Sequence, residues 1–366
     1  MACLKKPVYK NLTEETLRML KVDSPEQGIY DRVRNCWDQV AKPLDGMGKF
    51  ETITAGIGAV QGSEKIDISR KAILIFCADN GIVEEGISQS GQDVTLAVMK
   101  NMAKEQSSVG KLARFAKVDT IPIDIGVNTE EKVEKVVDRK IRKGTRNFRK
   151  EPAMTMEETM LAISVGIEMV EICKEQGYRV LGTGEMGIGN TTTSSAVTAS
   201  LLSCKASEVT GRGAGLSDEK LEHKCRIIEE AVNRYALWEK DPLQILQIVG
   251  GLDLAGLAGV CIGGAIYHIP IVLDGVISLA AALLAVRMVP GVEKYLIASH
   301  KGKEPAAEKL LEALSLQPVI EGELALGEGT GAVMMMQLLD MALCIYEEGA
   351  TFSEIEVGQY ERYTER

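Results

Sequence analysis

Residues Tyr178–Leu202, YRVLGTGEMGIGNTTTSSAVTASLL, carry the pattern that decides the fold. The stretch begins with apolar residues, continues through four glycines between Gly182 and Gly189, and ends in a run rich in Thr, Ser and Ala. This order predicts a strand over 178–181, a glycine-rich loop, and a helix that begins near Asn190. A strand followed at once by a helix is the repeating unit of α/β proteins.

The same order of strand and helix returns along the chain. Further strands that end in polar loops are predicted at 71–77, 118–127, 269–273 and 294–298. Helical patterns are found at 94–116, 155–177, 218–237, 241–268 (broken at Gly250 and Gly251) and 330–347. The alternation predicts an α/β protein with a doubly wound, mostly parallel, Rossmann-like sheet. In such sheets, ligands bind beyond the carboxyl ends of the strands.

Both termini are predicted to be helical. We expect a large α/β domain over 25–330 and a small helical subdomain made of 1–24 plus 331–366. Thr13 has the residue type of a helix N-cap, as has Ser24 with Pro25 at the first helical position. The helix at 155–177 has a capping box, formed by Thr155 and Glu158.

Composition and charge restrict the class of protein. The 366-residue chain has a net charge of −10, which argues against a nucleic-acid partner because phosphate binding needs a basic face. Its eight cysteines are scattered, which is typical of free thiols in a reducing compartment. The apolar run Ile269–Val286 is interrupted by Pro270 and Asp274, so no membrane span is expected. The start of the chain lacks a signal-peptide pattern, and we expect a soluble cytoplasmic protein.

The glycine loop has two interpretations. Gly182, Gly184 and Gly187 match GxGxxG, yet no acidic residue follows at the distance that ribose recognition in dinucleotide sites requires. Backbone N–H groups at a helix start, together with the hydroxyls of Thr191 and Thr192, suit a single phosphate. A capped turn without a ligand remains the alternative.

Two carboxylates are placed unusually. Glu185 is in the glycine loop, and Glu328 stands among glycines in ALGEGTGAVMMM (Ala325–Met336), just before an apolar helix. They could form an acid/base pair, or each could occupy a helix start, where negative charge is favoured anyway. Lys224 is either a phosphate partner or one more exposed helix lysine. The three histidines lie in separate segments without the spacing of metal ligands. A metal site is therefore not predicted, and structural or surface histidines are expected.

Several blocks, in order from about Pro43 to Ala342, resemble the nicotinate-nucleotide:dimethylbenzimidazole phosphoribosyltransferases of cobalamin nucleotide-loop assembly. The blocks are KPLDGMGKFE, ADNGIVEEGISQSGQDVT, GEMGIGNTTTSSAV, GRGAGLSDEKLEHK, GGLDLAGLAG, LDGVISLAAAL, SHKGKEPA and LGEGTGAVM. Asp45 and Met47 depart from the family's Pro-x-Gly-Ser-Leu-Gly opening. SQSGQ stands where the family often has Tyr-Pro-Gln.

The resemblance implies a role for each matching residue. Glu328 matches the catalytic base and Glu185 the second carboxylate of the active site. The phosphate-binding positions are Gly187, Ile188, Gly189, Asn190, Thr191, Thr192 and Lys224, with Ser299 and Gly302 where the family often has Ser-x-x-Ser. The base-binding positions are Gln92, Met186 and Leu326. No cofactor or metal is implied; the partners are nicotinate mononucleotide, a benzimidazole-type base and a second copy of the chain in a homodimer.

Other functions stay open on the residues alone. GxGxxG favours an NAD-dependent Rossmann-type oxidoreductase, and a paralogue that keeps the fold without catalysis is a second alternative. The acceptor base is also open, since dimethylbenzimidazole, other benzimidazoles, adenine or phenolics all fit a flat apolar slot. The resemblance also leaves open whether a second homologous chain is needed, because some members of that family work only alongside one.

Overall fold

The computed structural model describes residues 12–363. Within them, six strands form one parallel sheet in the order β3-β2-β1-β4-β5-β6. The strands are β1 (Lys71–Ala78), β2 (Asp119–Gly126), β3 (Val137–Asp138), β4 (Val180–Met186), β5 (Ile271–Leu273) and β6 (Leu296–Ala298). This is the strand order of the doubly wound Rossmann fold. The predicted α/β class is confirmed.

Helices cover both faces of the sheet. The α-helices are α1 (Glu14–Arg18), α2 (Gln27–Gln39), α3 (Lys49–Gln61), α4 (Asp93–Ala103), α5 (Ser108–Ala116), α6 (Met156–Glu175), α7 (Asn190–Leu202), α8 (Asp218–Arg234), α9 (Pro242–Val249), α10 (Leu252–Tyr267), α11 (Val276–Met288), α12 (Ala306–Leu314) and α13 (Thr330–Glu348). Short 3-10 helices occupy Gly81–Glu85, Ala206–Glu208, Leu237–Glu239 and Val292–Tyr295.

Strand β1 divides the core in two. Because side chains alternate along a strand, Leu74 and Phe76 join the cluster that contains α6, α10 and α11. Ile73 and Ile75 point to the opposite face and join the cluster that contains α2, α3, α5 and α13. All residues of β1 are buried, as expected for the centre of a parallel sheet. Among residues 12–363, no helix is both long and apolar enough to cross a membrane.

Local helix signals were predictive in most places. Thr155 and Glu158 form the predicted capping box of α6, and Thr13 caps α1. The N-cap predicted at Ser24 is wrong, because α2 begins at Gln27 with Glu26 as its cap. The Ser24 hydroxyl instead accepts a hydrogen bond from Lys294 at 2.8 Å.

Two predicted boundaries also differ. The helical pattern at 94–116 is two helices, α4 and α5, with Ser107 capping the second through the N–H of Gly110. Strand β4 continues to Met186, five residues beyond its predicted end at 181, because it pairs with β1 up to Cys77. Gly182 and Gly184 therefore lie inside a strand.

Helix α2 and the segment after it contact the C-terminal part of the chain. The Trp37 and Tyr346 rings lie 5.2 Å apart, and the N–H of Ala41 donates to the carbonyl of Ala350 at 2.8 Å. Helix α13 also packs against the sheet through Met336 and Leu339. The proposed division into 25–330 and a subdomain of 1–24 plus 331–366 stays a prediction, and residues 1–11 and 364–366 lie outside the described part.

Candidate functional site

A cavity of about 230 Å³ opens at the carboxyl ends of β4, β5 and β6. In the doubly wound fold, the strand order reverses between β1 and β4, and ligands bind at that point. Ten of the residues predicted for the site line this cavity: Glu185, Met186, Gly187, Ile188, Gly189, Asn190, Thr191, Lys224, Leu326 and Glu328. Residues from distant parts of the chain thus meet in one place.

Glu185 lies near the end of β4, and its predicted place in a loop is wrong. Its side chain is buried, and the Asn190 amide donates to it and, at 3.1 Å, to the Asp253 carboxylate. Burial raises the pKa of Glu185 to about 8, and it raises the pKa of Asp253 to about 6. At neutral pH Glu185 therefore keeps a proton to a large extent.

Glu328 occupies a tight turn. Gly327, Glu328 and Gly329 have positive φ angles of 83°, 64° and 96°, a conformation that side-chain-bearing residues rarely adopt. A methyl group added to Gly327 would stand 2.8 Å from Oε1 of Glu185, so the turn that carries Glu328 lies beside the Glu185 carboxylate. The Glu328 carboxylate accepts the backbone N–H of Val109 at 3.1 Å, at the start of α5. This bond ties the Glu328 carboxylate to the N-terminal turn of α5, where backbone N–H groups lack partners within the helix.

The turn depends on a glycine in the sheet. A methyl group added to Gly184 would stand 2.6 Å from the carbonyl oxygen of Glu328. The glycines of GxGxxG at Gly182 and Gly184 therefore allow close packing on β4, where Ile73 and the Glu328 turn lie against them. A dinucleotide fingerprint needs its glycines in the turn between strand and helix, so the GxGxxG match does not mark such a site.

Lys224 is a buried cation. The residue is 1% exposed, and its ammonium donates to the Thr191 hydroxyl at 2.9 Å and to the Gly211 carbonyl at 3.2 Å. Burial lowers its pKa to about 8. Both partners are neutral, so the ammonium group retains its attraction for an anion. The alternative of an exposed helix lysine is wrong.

The chain is similar to known proteins of one family. A family model described as a phosphoribosyltransferase matches residues 22–357. A nicotinate-nucleotide–dimethylbenzimidazole phosphoribosyltransferase from Acetivibrio thermocellus is 44% identical over 90% of this chain and 94% of its own. One of the same name from Clostridium perfringens is 42% identical over 91% and 92%.

The chain belongs to this phosphoribosyltransferase family.

A solved structure supports the same assignment. The crystal structure of CobT from Thermus thermophilus superposes with a TM-score of 0.86 at 37% identity, and covers 91% of this chain and 100% of that one.

Four positions carried over from the family lie outside the cavity lining. Thr192 is buried in α7, and its hydroxyl has no hydrogen-bond partner among the described residues. Ser299 contacts the Asp274 carbonyl and His300. Gly302 lies beside Glu304.

Gln92 is the fourth of these positions. Its amide donates to the Asn80 carbonyl at 3.3 Å, and its oxygen accepts from the Asn128 amide at 3.1 Å. These bonds direct the Gln92 side chain toward the loops after β1 and β2.

Sequence reasoning missed two buried residues of the cavity. Asp274 follows β5, and His300 lies just after β6. Both line the cavity. The prediction of His300 as a structural or surface histidine did not include a place in the site. Their position in the sequence is the signal that could have found them. Asp274 directly follows β5, and His300 lies one residue further beyond the end of β6, and ligands bind beyond the carboxyl ends of such strands.

An acidic cluster lies elsewhere, among α2, α3 and the loop between them. In the described part of the chain it is the one group of acids with metal-like spacing: Asp38, Asp45 and Glu51. Arg34 and Lys42 contact Glu51 at 2.9 and 2.5 Å, and Arg362 contacts Asp38 at 3.0 Å. These cations make the cluster an ionic network.

Proposed function

We propose that the protein transfers the 5-phosphoribosyl group of nicotinate mononucleotide to 5,6-dimethylbenzimidazole or a related base, and releases nicotinate and an α-ribotide. Its family membership supports the reaction class, and relatives with 44% and 42% identity bear that enzyme name. The observation that carries the proposal is the meeting of Glu185, Glu328 and the buried Lys224 in one cavity.

The phosphate of the mononucleotide is proposed to bind at the start of α7. The first N–H groups of a helix have no partner within it, and they point at an anion placed there. Gly189, Asn190 and Thr191 begin α7, and Lys224 reaches the Thr191 hydroxyl. One ammonium and one helix end suit a monophosphate.

The glycosyl transfer exchanges one C–N bond for another. The bond between ribose C1 and the pyridinium nitrogen breaks, and its electrons return to nicotinate. A nitrogen lone pair of the base forms the new bond on the opposite face of C1, which inverts the anomeric centre. Positive charge develops on the ribose as nicotinate leaves, and nearby carboxylates stabilise it. The reaction releases no pyrophosphate, so no step calls for a metal ion.

Glu328 is proposed as the general base. As the base bonds through one nitrogen, its other nitrogen becomes more acidic and its proton passes to a carboxylate. Of the two acids, Glu328 is the proposed acceptor because its carboxylate lines the cavity, is less deeply buried than that of Glu185, and is held by the Val109 N–H. Glu185, with its raised pKa, is the better hydrogen-bond donor to the substrates.

The acceptor base is proposed to lie against Met186 and Leu326. Both line the cavity, and Leu326 is 55% exposed, so a planar base would cover apolar surface there. Gln92 would contact the base only after breaking its bonds to Asn80 and Asn128. Ser88 and Gln89, from the segment that departs from the family pattern, also line the cavity and would contribute to the choice of base.

Product analysis tests the proposal. The purified protein is incubated with nicotinate mononucleotide and with a panel of dimethylbenzimidazole, benzimidazole, adenine and a phenol. We expect base-dependent release of nicotinate and an α-configured ribotide, identified by mass spectrometry and NMR. An oxidoreductase would instead give dinucleotide-dependent fluorescence changes, and a non-catalytic paralogue would release no nicotinate. Either result would refute the proposal.

We also infer that the chain forms a homodimer through α5 and α13. These helices lie on one face of the sheet, where Val109 and Met335 share a core cluster. Outside that cluster, Phe115 of α5 is 82% exposed and Met341 of α13 is 61% exposed. Exposed apolar patches often mark association surfaces, and a second copy of the chain is the proposed occupant. The cytoplasmic location expected from the scattered cysteines stays a prediction.

A further inference from the structure

Asp274 binds the backbone on the helical side of Glu328. Its carboxylate oxygens accept the N–H of Gly329 at 3.1 Å and the N–H of Gly331 at 2.8 Å. Gly329 directly follows Glu328, and Gly331 lies in the first turn of α13. The aspartate therefore fixes the direction in which the chain leaves the Glu328 turn.

Strands β4, β5 and β6 hold Asp274 itself in place. Its backbone N–H donates to the Thr183 hydroxyl of β4 at 3.1 Å. Its carbonyl accepts the Ser299 hydroxyl, next to β6, at 3.3 Å. The same Ser299 hydroxyl lies 2.9 Å from His300 Nδ1. Asp274 is thus joined to the rigid sheet on one side and to the Glu328 turn on the other.

The Asp274 carboxylate is compensated inside the protein. The side chain is buried, and burial raises the pKa of its carboxyl group. His300 and the N–H groups at the start of α13 lower that pKa. His300 also fills the space beside Gly331, where an added methyl group would collide with its ring. Asp274 and His300 therefore form a compact support beneath the start of α13.

We infer that Asp274 is a positioning residue, which aims the Glu328 carboxylate at the acceptor base by holding the N–H groups of Gly329 and Gly331. The inference rests on the proposed role of Glu328 as base. Glu328 has a φ of 64°, so its turn needs support from outside the segment. The Val109 N–H supports the carboxylate, and Asp274 supports the backbone.

A double-mutant cycle tests the inference. Asp274→Asn is made alone and together with Glu328→Gln, and turnover and KM for the mononucleotide are measured for each. Misplacing a catalytic group by about 1 Å can cost two orders of magnitude. We expect Asp274→Asn to lower kcat by about 10- to 100-fold, with KM changed less than about 3-fold. In the Glu328→Gln background, it should have no further effect on kcat.

Asp124 provides a matched control. It is also a buried aspartate at the end of a strand, and it accepts the N–H of Val127 at 2.9 Å and pairs with Lys140. Asp124→Asn should lower thermal stability and leave kcat unchanged. If Asp274→Asn does not fold, Ser299→Ala serves as a milder variant, since it removes one bond to Asp274 and one to His300. It should lower kcat, and an unchanged kcat would overturn the inference.

The outcomes separate two kinds of failure. If Glu328→Gln leaves turnover unchanged, the proposed function of Glu328 is wrong. If Glu328→Gln lowers turnover but Asp274→Asn lowers it further in the double variant, Asp274 acts on the substrate directly or through general stability. The positioning role would then be rejected, as it would be if Asp274→Asn alone left kcat unchanged.

Discussion

The carboxylate of Glu328 accepts a 3.1 Å hydrogen bond from the backbone N–H of Val109, a residue 219 positions earlier in the chain. The bond joins the turn before α13 to the first turn of α5. It places a carboxylate at a helix N-terminus, next to the more deeply buried Glu185. Two neighbouring acids thus lie in different environments, which is how one site separates a base from a proton-bearing acid.

Replacing Gly184 with alanine should disturb this arrangement. The new methyl group would stand 2.6 Å from the Glu328 carbonyl oxygen and displace the turn. We expect Gly184→Ala to lower kcat by at least about 10-fold. Gly182→Ala is the matched control, because its methyl group meets side chains of Ile73 and Met336. The control should lose thermal stability and keep kcat within about 3-fold; equal losses of kcat would contradict the explanation.

Replacing Lys224 with methionine should separate stability from binding. The folded pKa of Lys224 is about 8, below its ordinary 10.5, so between these values the unfolded state binds more protons. Wild-type stability therefore gains from this group as pH rises from about 8 to about 10.5. Lys224→Met should have a higher Tm at pH 7, and this advantage should shrink by pH 10.

The same variant should bind the mononucleotide poorly. Loss of a charged hydrogen bond to phosphate should raise KM by about 10- to 100-fold. In the wild type, KM should rise above pH 8 as the ammonium loses its proton. Initial rates across the pH range give the KM values. An unchanged KM in Lys224→Met would contradict the assignment of Lys224 to the phosphate site.

The stability of the protein should depend on the protonation of Glu185. Its folded pKa of about 8 is above the ordinary 4.5, so its stabilising contribution is complete below pH 4.5 and is lost as pH rises toward 8. Glutamine does not ionise. The free energy of unfolding of Glu185→Gln, relative to that of the wild type, should therefore increase by about 1 to 3 kcal/mol from pH 5 to pH 8. Urea unfolding at both pH values measures the gain. The exposed Glu175→Gln is the control, and a gain of equal size there would refute the assignment.

The oligomeric state should depend on the face formed by α5 and α13. A charged residue at position 115 or 341 would be buried in the apolar interface of the proposed homodimer. Burying an unpaired charge costs free energy and should prevent association. We expect the double variant Phe115→Glu with Met341→Glu to be a monomer by light scattering, with the wild type a dimer. Trp238→Glu, at another exposed apolar residue, should remain a dimer. A monomeric wild type would exclude the proposed dimer.

Local patterns in the sequence predicted the fold well. The α/β class and the capping box of Thr155 and Glu158 follow from residues close together in the chain. Errors arose where a distant segment decided the outcome. Pairing with β1 extends β4 through Glu185. The Ser24 hydroxyl accepts a bond from Lys294, and α2 begins only at Gln27.

The site could be predicted only in part for the same reason. Glu185 and Glu328 were predicted from their glycine-rich segments, Lys224 from its helix, and all three from the family resemblance. They line one cavity. Asp274 was missed, although the sequence shows an aspartate directly after a strand. Its importance depends on Gly329 and Gly331, more than 50 residues away, and no local pattern indicates that contact.

Turnover of Glu328→Gln tests the central claim most directly. Glutamine keeps the size of the side chain and can still accept the Val109 N–H, but it cannot take the proton from the attacking base. With nicotinate mononucleotide and dimethylbenzimidazole, we expect kcat to fall by about two or more orders of magnitude, while the fold and mononucleotide binding are retained. Wild-type turnover in a folded Glu328→Gln variant would contradict the role of Glu328 as the base.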